Sequence, residues 1–396
     1  MTACFTCSAS TRPVLPRAAW VLGLLLGLAL SSLAGQRAAA LDTAARAALL
    51  VDLQTGAVLL EKNPDIPLPP ASMSKLMTLY MLFEAVASGK YALDDMLRVS
   101  DRAAAMGGSK MFVRAGERVR IIDLMRGIIV QSGNDACVVI AEALAGSEEA
   151  FAMAMTQRGK EIGLTASTFT NATGWPHPGQ RMTARDLVIL TDRLIADFPQ
   201  FYPYFAETEF TWDAITQRNR NPLLYLDAGV DGLKTGHTEE AGYGLVASAL
   251  RDGRRVALVV TGLDSKRQRA EESERLISWA FREFRNRRLF TAGAQVATAE
   301  IWLGEIGQVP LVTARDIYVT LPFARDAPLQ MHARYDGPIE APIEAGQRIG
   351  TLVVETDGLA PATFPLLAGA TVARGGYVAR VQAAASRLLA RLASQF

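Results

Sequence analysis

Apolar and polar positions along the chain follow three successive patterns. The first is short and strand-like: Ala48-Leu49-Leu50-Val51-Asp52 and Val58-Leu59-Leu60-Glu61 flank Gln54-Thr55-Gly56, which predicts a hairpin. Pro64, Pro67, Pro69 and Pro70 then rule out regular structure until Ser72. From there Met73, Leu76, Met77, Tyr80, Met81 and Phe83 predict a helix buried on most sides, with Ser72 at its N-terminus and Lys75 one turn in. Helical spacing continues through 121–131, 135–145, 148–163 and 184–196. From Val230 the period shortens again. Tyr243 to Leu250 and Arg255 to Thr261 read as strands joined by an Asp252-Gly253 hairpin, and Arg269 to Phe284 as a closing helix. Helices enclosed between first and last strands predict an α+β domain with an antiparallel sheet over 41–285.

Past Asn286 the pattern is of short β segments between Gly and Pro turns, among them Gln295-Val296-Ala297, Ile317 to Leu321 and Thr351 to Glu355. That predicts a small all-β domain over 286–373. In the last stretch, 374–396, Val378, Val381, Ala385, Leu388, Leu389, Leu392 and Phe396 form one helical stripe. Arg380, Arg387 and Arg391 lie off it, and no acid follows Asp357. A cationic amphipathic helix of this kind suits an anionic membrane surface. At the other end, Arg12 and Arg17 precede the apolar run Ala18 to Leu30 and then Ala38-Ala39-Ala40, with no acid in residues 1–40. This is the order of a secretory signal, and the run is short of the ~20 residues a spanning helix needs. The expected mature chain, starting after Ala40, carries 38 basic and 40 acidic side chains.

Composition narrows the classes further. With 396 residues, half of them hydrophobic, the chain is long enough for two domains, and a net charge of +1 gives no sign of nucleic acid as a partner. Cys4 and Cys7 fall in the presumed signal. Cys137 is then alone, beside Val138-Val139-Ile140, and reads as a small core residue. His177, His237 and His332 are scattered, so no metal and no cofactor are expected.

The candidate chemistry starts at Ser72 and Lys75. Three residues apart on a helix, they share a face, and a helix N-terminus disfavours a neighbouring cation, which pushes Lys75 toward a neutral amine able to act as base. Ser74 points elsewhere. Ser-x-x-Lys alone is common, and Ser72 read alone could be a plain N-cap. Sixty residues on comes Gln-Ser132-Gly-Asn134-Asp-Ala, and a further 102 on comes Lys234-Thr235-Gly236. Two of the seven lysines in the chain fall in these motifs.

Together the three motifs match the pattern of penicillin-binding proteins and serine β-lactamases. With their flanks PASMSKLMT, QSGNDA, NATGWPHPGQ, RNRNPLLY and VDGLKTGHTEEAGYGLVASAL, residues 45–285 resemble the low-molecular-mass D-alanyl-D-alanine carboxypeptidases. The resemblance implies a DD-peptidase/β-lactamase-like fold with a helical subdomain. It further implies periplasmic location on the outer face of the bacterial cytoplasmic membrane, peptidoglycan pentapeptide as substrate and β-lactam antibiotics as ligands. Ser72 would attack the carbonyl between the two terminal D-alanines and Lys75 would take its proton. Ser132, held by Lys234, would protonate the departing D-alanine, and Asn134 would bind the substrate backbone. Thr235, in the Lys-Thr-Gly236 motif, and Arg269 would hold the terminal carboxylate, with Arg220 shaping that site and Arg267 as an alternative to Arg269. The amides of Ser72 and His237 would form the oxyanion hole. A cross-link endopeptidase, a β-lactamase and a non-catalytic wall scaffold share parts of the pattern. The Glu-x-x-Leu-Asn segment of class A β-lactamases is missing between Ser132 and Lys234.

Overall fold

The computed structural model describes residues 41–323, 329–377 and 381. The expected signal over 1–40 lies outside these residues, as does the expected terminal helix over 374–396 apart from residues 374–377 and 381. Among the described residues no helix is long and apolar enough to cross a membrane.

The N-terminal domain is organised on a five-stranded antiparallel sheet made from both ends of its sequence. β1 (Ala47–Asp52) and β2 (Val58–Lys62) form the first hairpin. β7 (Val230–Thr238), β8 (Gly242–Arg251) and β9 (Arg254–Leu263) form the rest, in the order β2-β1-β9-β8-β7. The six residues of β1 are all buried, because helices cover the sheet and the strand needs no polar face. Asp252 and Gly253 both take positive φ, 49° and 77°, which is the turn geometry that lets β8 return as β9 without splaying. β7 is an edge strand, so part of its main chain faces away from the sheet.

Seven helices accompany the sheet: α1 (Lys75–Ala87), α2 (Asp101–Ala105), α3 (Ile121–Ile129), α4 (Asn134–Ala145), α5 (Glu148–Glu161), α6 (Ala184–Asp197) and α7 (Lys266–Glu283). Ser147, Thr183 and Ser265 cap α5, α6 and α7, each side chain accepting a main-chain N–H three residues on. The Ser265 cap moves the start of α7 to Lys266, three residues before the predicted Arg269. α1 runs through the core, where Phe83 contacts Phe198, Phe201 and Phe205.

The sequence starts the first helix at Ser72; the structure starts it at Lys75. Ala71–Ser74 form a 3₁₀ turn, and α1 begins at Lys75. The chain leaves Pro69-Pro70 through a left-handed Ala71 (φ 49°), and Met73 N–H bonds Pro70 O at 3.1 Å, so a regular α-turn cannot start earlier. α3 likewise stops two residues short of the predicted 131, because Ser132 adopts φ 61°. Two antiparallel strand pairs carry no sequence signal: β3 (Met96–Arg98) with β4 (Arg118–Arg120), and β5 (Glu209–Trp212) with β6 (Ile215–Arg218).

The C-terminal domain is all β. β10 (Phe284–Phe290) follows α7 directly and pairs with β13 (Ile317–Pro322). β11 (Gln295–Trp302), β12 (Gln308–Thr313), β14 (Gln330–Arg334), β15 (Ile339–Glu340), β16 (Arg348–Glu355) and β17 (Ala362–Ala368) make a six-stranded sheet. Val309, Leu311, Val319, Leu352, Val354 and Leu366 fill its core. The β1–β2 turn ties this domain to the first. Asp52 accepts Arg254 Nε at 2.7 Å and Asn286 Nδ2 at 3.0 Å, and Arg254 donates on to Phe284 O at 2.6 Å. Because both charges are buried, Asp52→Asn is expected to lower unfolding stability by about 2 kcal/mol, measured by urea denaturation.

Candidate active site

The 3₁₀ turn, the turn before α4, β7, β8, the start of α7 and the loops carrying Ser109 and Arg220 converge on one cavity of about 590 Å³. Ser72, Ser132, Arg220, Thr235, Gly236, His237 and Arg269 line it, joined by Ser109, Tyr243 and Lys266. No acidic side chain is part of that lining.

Lys75 is fully buried at the start of α1. Its Nζ lies 2.9 Å from Ser72 Oγ and donates to Thr173 O at 2.5 Å. Burial pulls the amine down to about 8, far enough for a useful fraction of neutral base near physiological pH. Cys137, behind it in α4, is buried with its thiol pushed up to about 12, which fits the core role read from the sequence.

The Ser132-Gly133-Asn134 turn is held from two sides. Gly133 N–H bonds Gly127 O at 3.0 Å, and Asn134 N–H bonds Ser109 O at 2.7 Å. The buried Asp135 carboxylate accepts from the amides of Met111, Phe112 and Val113, locking the adjoining loop to α4. Asn134 itself does not line the cavity: its side-chain amide donates to Gly107 O at 2.8 Å. Ser132 Oγ is buried and makes no hydrogen bond among the described residues.

Lys234 is buried on β7, and burial first, then the nearby Lys75 and Arg220 charges, hold its amine well below the usual lysine range. The expected hydrogen bond from Lys234 to Ser132 is not formed. Lys234 Nζ donates instead to its neighbour's carbonyl, Thr235 O, at 3.3 Å. Close approach explains two glycines. A Cβ on Gly236 would sit 2.9 Å from Pro70 O, and one on Gly174 would sit 1.9 Å from Ala71 O. Both positions let a second segment press against the serine turn.

Of the two arginines read as carboxylate holders, only Arg269 lines the cavity. It is buried, its guanidinium is lowered first by burial and further by Arg220, and its Nε has no hydrogen-bond partner. Arg267 points into solvent with its side chain 86% exposed and pairs with Glu271 at 2.7 Å. Arg220 donates to Ser109 Oγ at 2.5 Å. His237 stacks on Tyr243 with ring centroids 3.9 Å apart, a packing role for a side chain that sequence left without one.

Ser109, Tyr243, Lys266 and the Thr173 carbonyl were not read as site elements. Tyr243 and Thr173 lay in quoted motif flanks, but a main-chain carbonyl has no signature in any sequence, and Ser109 sits in a Gly-Gly-Ser-Lys stretch with none. Among the described residues no cluster of His, Cys, Asp and Glu could hold a metal ion.

The chain is similar to known proteins over most of its length. The profile of the D-alanyl-D-alanine carboxypeptidase family matches residues 34–265, and that of the penicillin-binding protein 5 C-terminal domain matches 284–374. D-alanyl-D-alanine carboxypeptidase DacC of Escherichia coli is 39% identical over 345 residues, 85% of this chain and 86% of that protein. DacD of Escherichia coli is 36% identical over 341 residues, 84% and 88% of the two chains. The crystal structure of penicillin binding protein 5 from Haemophilus influenzae superposes with a TM-score of 0.78 at 34% identity, covering 84% of this chain and 99% of that one. On the fold, the convergence of the three motifs and these matches, the chain belongs to the D-alanyl-D-alanine carboxypeptidase family.

Proposed function

We propose that this serine-type hydrolase removes the terminal D-alanine from peptidoglycan pentapeptides through an acyl-enzyme on Ser72. The observation that carries the assignment is the 2.9 Å approach of a buried, low-pKa Lys75 amine to Ser72 Oγ, in a cavity whose charged lining is entirely cationic. Neutral Lys75 keeps an N–H on Thr173 O and turns its lone pair to the Ser72 hydroxyl, taking the proton as Oγ attacks the carbonyl. Main-chain N–H groups of Ser72 and His237 receive the oxyanion. Ser132, whose oxygen has no other partner, delivers a proton to the departing D-alanine amine, and Lys234 stabilises it electrostatically. Asn134 steadies the Gly107–Ser109 wall along which the peptide lies, while Thr235 and Arg269 take the terminal carboxylate and Arg220 shapes that corner. Water then releases the shortened peptide. A labelled penicillin should become covalently attached at Ser72; attachment elsewhere, or none, would sink the assignment.

Arg269 gives a sharper expectation. Its buried guanidinium, with an Nε that has no partner, suits a carboxylate better than a neutral group. Arg269→Gln should lower kcat/KM for a free D-Ala terminus about 30-fold, while a C-terminal amide, poor with either protein, loses little. Equal losses on both substrates would remove Arg269 from the carboxylate subsite. A β-lactamase-like fast release is disfavoured, because no glutamate lines the cavity to activate water.

We also infer a signal over 1–40, a peptidase domain over 41–285, a β-domain over 286–373 and a membrane-association helix over 374–396, with the protein peripherally attached in the periplasm. The basic, acid-free tail and the apolar stripe support the last assignment. Residues 41–396 should bind anionic vesicles and 41–374 should not; equal binding would contradict it.

A further inference from the structure

We propose that Asn171 is a positioning residue for the general base: it holds the 171–175 loop so that the Thr173 carbonyl points at Lys75 Nζ. The proposal rests on the assignment of Ser72 and Lys75 above. Asn171 Oδ1 accepts from Thr173 N at 3.1 Å, Thr173 Oγ1 at 3.0 Å, Gly174 N at 2.8 Å and Trp175 N at 3.0 Å. Its Nδ2 donates back to Trp175 O at 3.0 Å. The side chain therefore uses both ends of its amide to curl three successive peptide units around itself. On the other flank, Ala172 is pinned by Glu148 Oε1 on its N–H (3.1 Å) and by Thr78 Oγ1 on its carbonyl (2.7 Å). Between these two anchors the Thr173 carbonyl is the group left to face inward, and Lys75 Nζ meets it at 2.5 Å.

The consequence is chemical. A lysine amine sits at the end of four rotatable bonds, and a neutral one has a single lone pair to aim. One N–H fixed on Thr173 O sets the roll of the amine, so that the lone pair faces Ser72 Oγ, 2.9 Å away. The groups that face Lys75 from other elements, Asp135 and Cys137 on α4, Lys234 on β7 and Arg220, tune its charge, but none is its hydrogen-bond partner. A loop that merely needed an Asx turn would not require its central carbonyl to end on the base.

The test uses the full chain, a labelled penicillin, and two readings: the labelling rate constant and the fraction labelled at saturation. Asn171→Ala should slow labelling by about tenfold or more while the final labelled fraction stays complete. Asn171→Asp keeps the acceptor and adds a charge near Lys75, so labelling should recover at alkaline pH, with the acid limb of its pH profile moved upward. An unchanged rate constant in Asn171→Ala, or a smaller labelled fraction reacting at the normal rate, would reduce Asn171 to a structural turn and overturn the proposal. Should Asn171→Ala fail to fold, an Asn171→Asp profile identical to the unsubstituted protein's would overturn it as well. If the unsubstituted protein does not label at Ser72, the functional assignment and this proposal fall together.

Discussion

Replacing Lys75 with methionine is expected to slow acylation of Ser72 by about a thousandfold while making the protein more stable. The two effects have one origin. Lys75 is completely buried and its amine is lowered from 10.5 to about 8, mainly by burial. Below pH 8 both folded and unfolded chains carry the proton, and the folded state bears the cost of a buried cation. Between pH 8 and 10.5 the unfolded chain binds more protons than the folded one, so stability from this group rises with pH across that window. Methionine removes the charge and keeps the volume; a gain of roughly 1–3 kcal/mol at pH 7, without the alkaline rise, is expected. Catalysis has the opposite sign. Only the neutral amine accepts the Ser72 proton, so the labelling rate of the unsubstituted protein should climb about tenfold per pH unit below 8 and level above it. Urea denaturation across pH and penicillin labelling across pH measure both halves. A methionine variant less stable at every pH would contradict the buried-charge account.

Gly174→Ala should destabilise the protein by about 4 kcal/mol and abolish penicillin labelling, although position 174 contributes no side chain to the cavity. Gly174 has φ +78°, which disfavours any Cβ, and that Cβ would fall 1.9 Å from Ala71 O and 2.5 Å from Ser74 Oγ. Both neighbours belong to the 3₁₀ turn that carries Ser72, and one of them is main chain, which cannot rotate away. Relief requires the 171–175 loop and the serine turn to part, taking the Thr173 carbonyl off Lys75. A variant with normal denaturant midpoint and normal labelling would show that the two segments are not tightly apposed. Gly56, on the β1–β2 turn with nothing within 4 Å of a built Cβ, is the matched control: its φ of +74° carries the backbone strain without the collision.

Much of the scaffold was legible because it rests on local signals. Asp252-Gly253 announced the β8–β9 hairpin, and Gln54-Thr55-Gly56 the β1–β2 hairpin. The three motifs were legible as sequence because each keeps its side-chain types at fixed spacing. What escaped was set by geometry at longer range. The short strands at 96–98 and 209–212 have too few residues for a period to show. Whether Arg267 or Arg269 enters the cavity depends on the rotation of α7 against the sheet, which two residues of sequence cannot fix. The displacement of Ser72 from the helix into a 3₁₀ turn follows from a left-handed alanine, which no propensity predicts. The most consequential omission was a main-chain oxygen, that of Thr173, which reaches Lys75 from 98 residues away.

The measurement that tests the account most directly is D-alanine release from a pentapeptide ending in D-Ala-D-Ala, with residues 41–396 and the Ser72→Ala variant side by side. The account predicts release by the first protein and none by the second, with both equally folded. Release that survives Ser72→Ala, or no release from the unsubstituted protein, would contradict it.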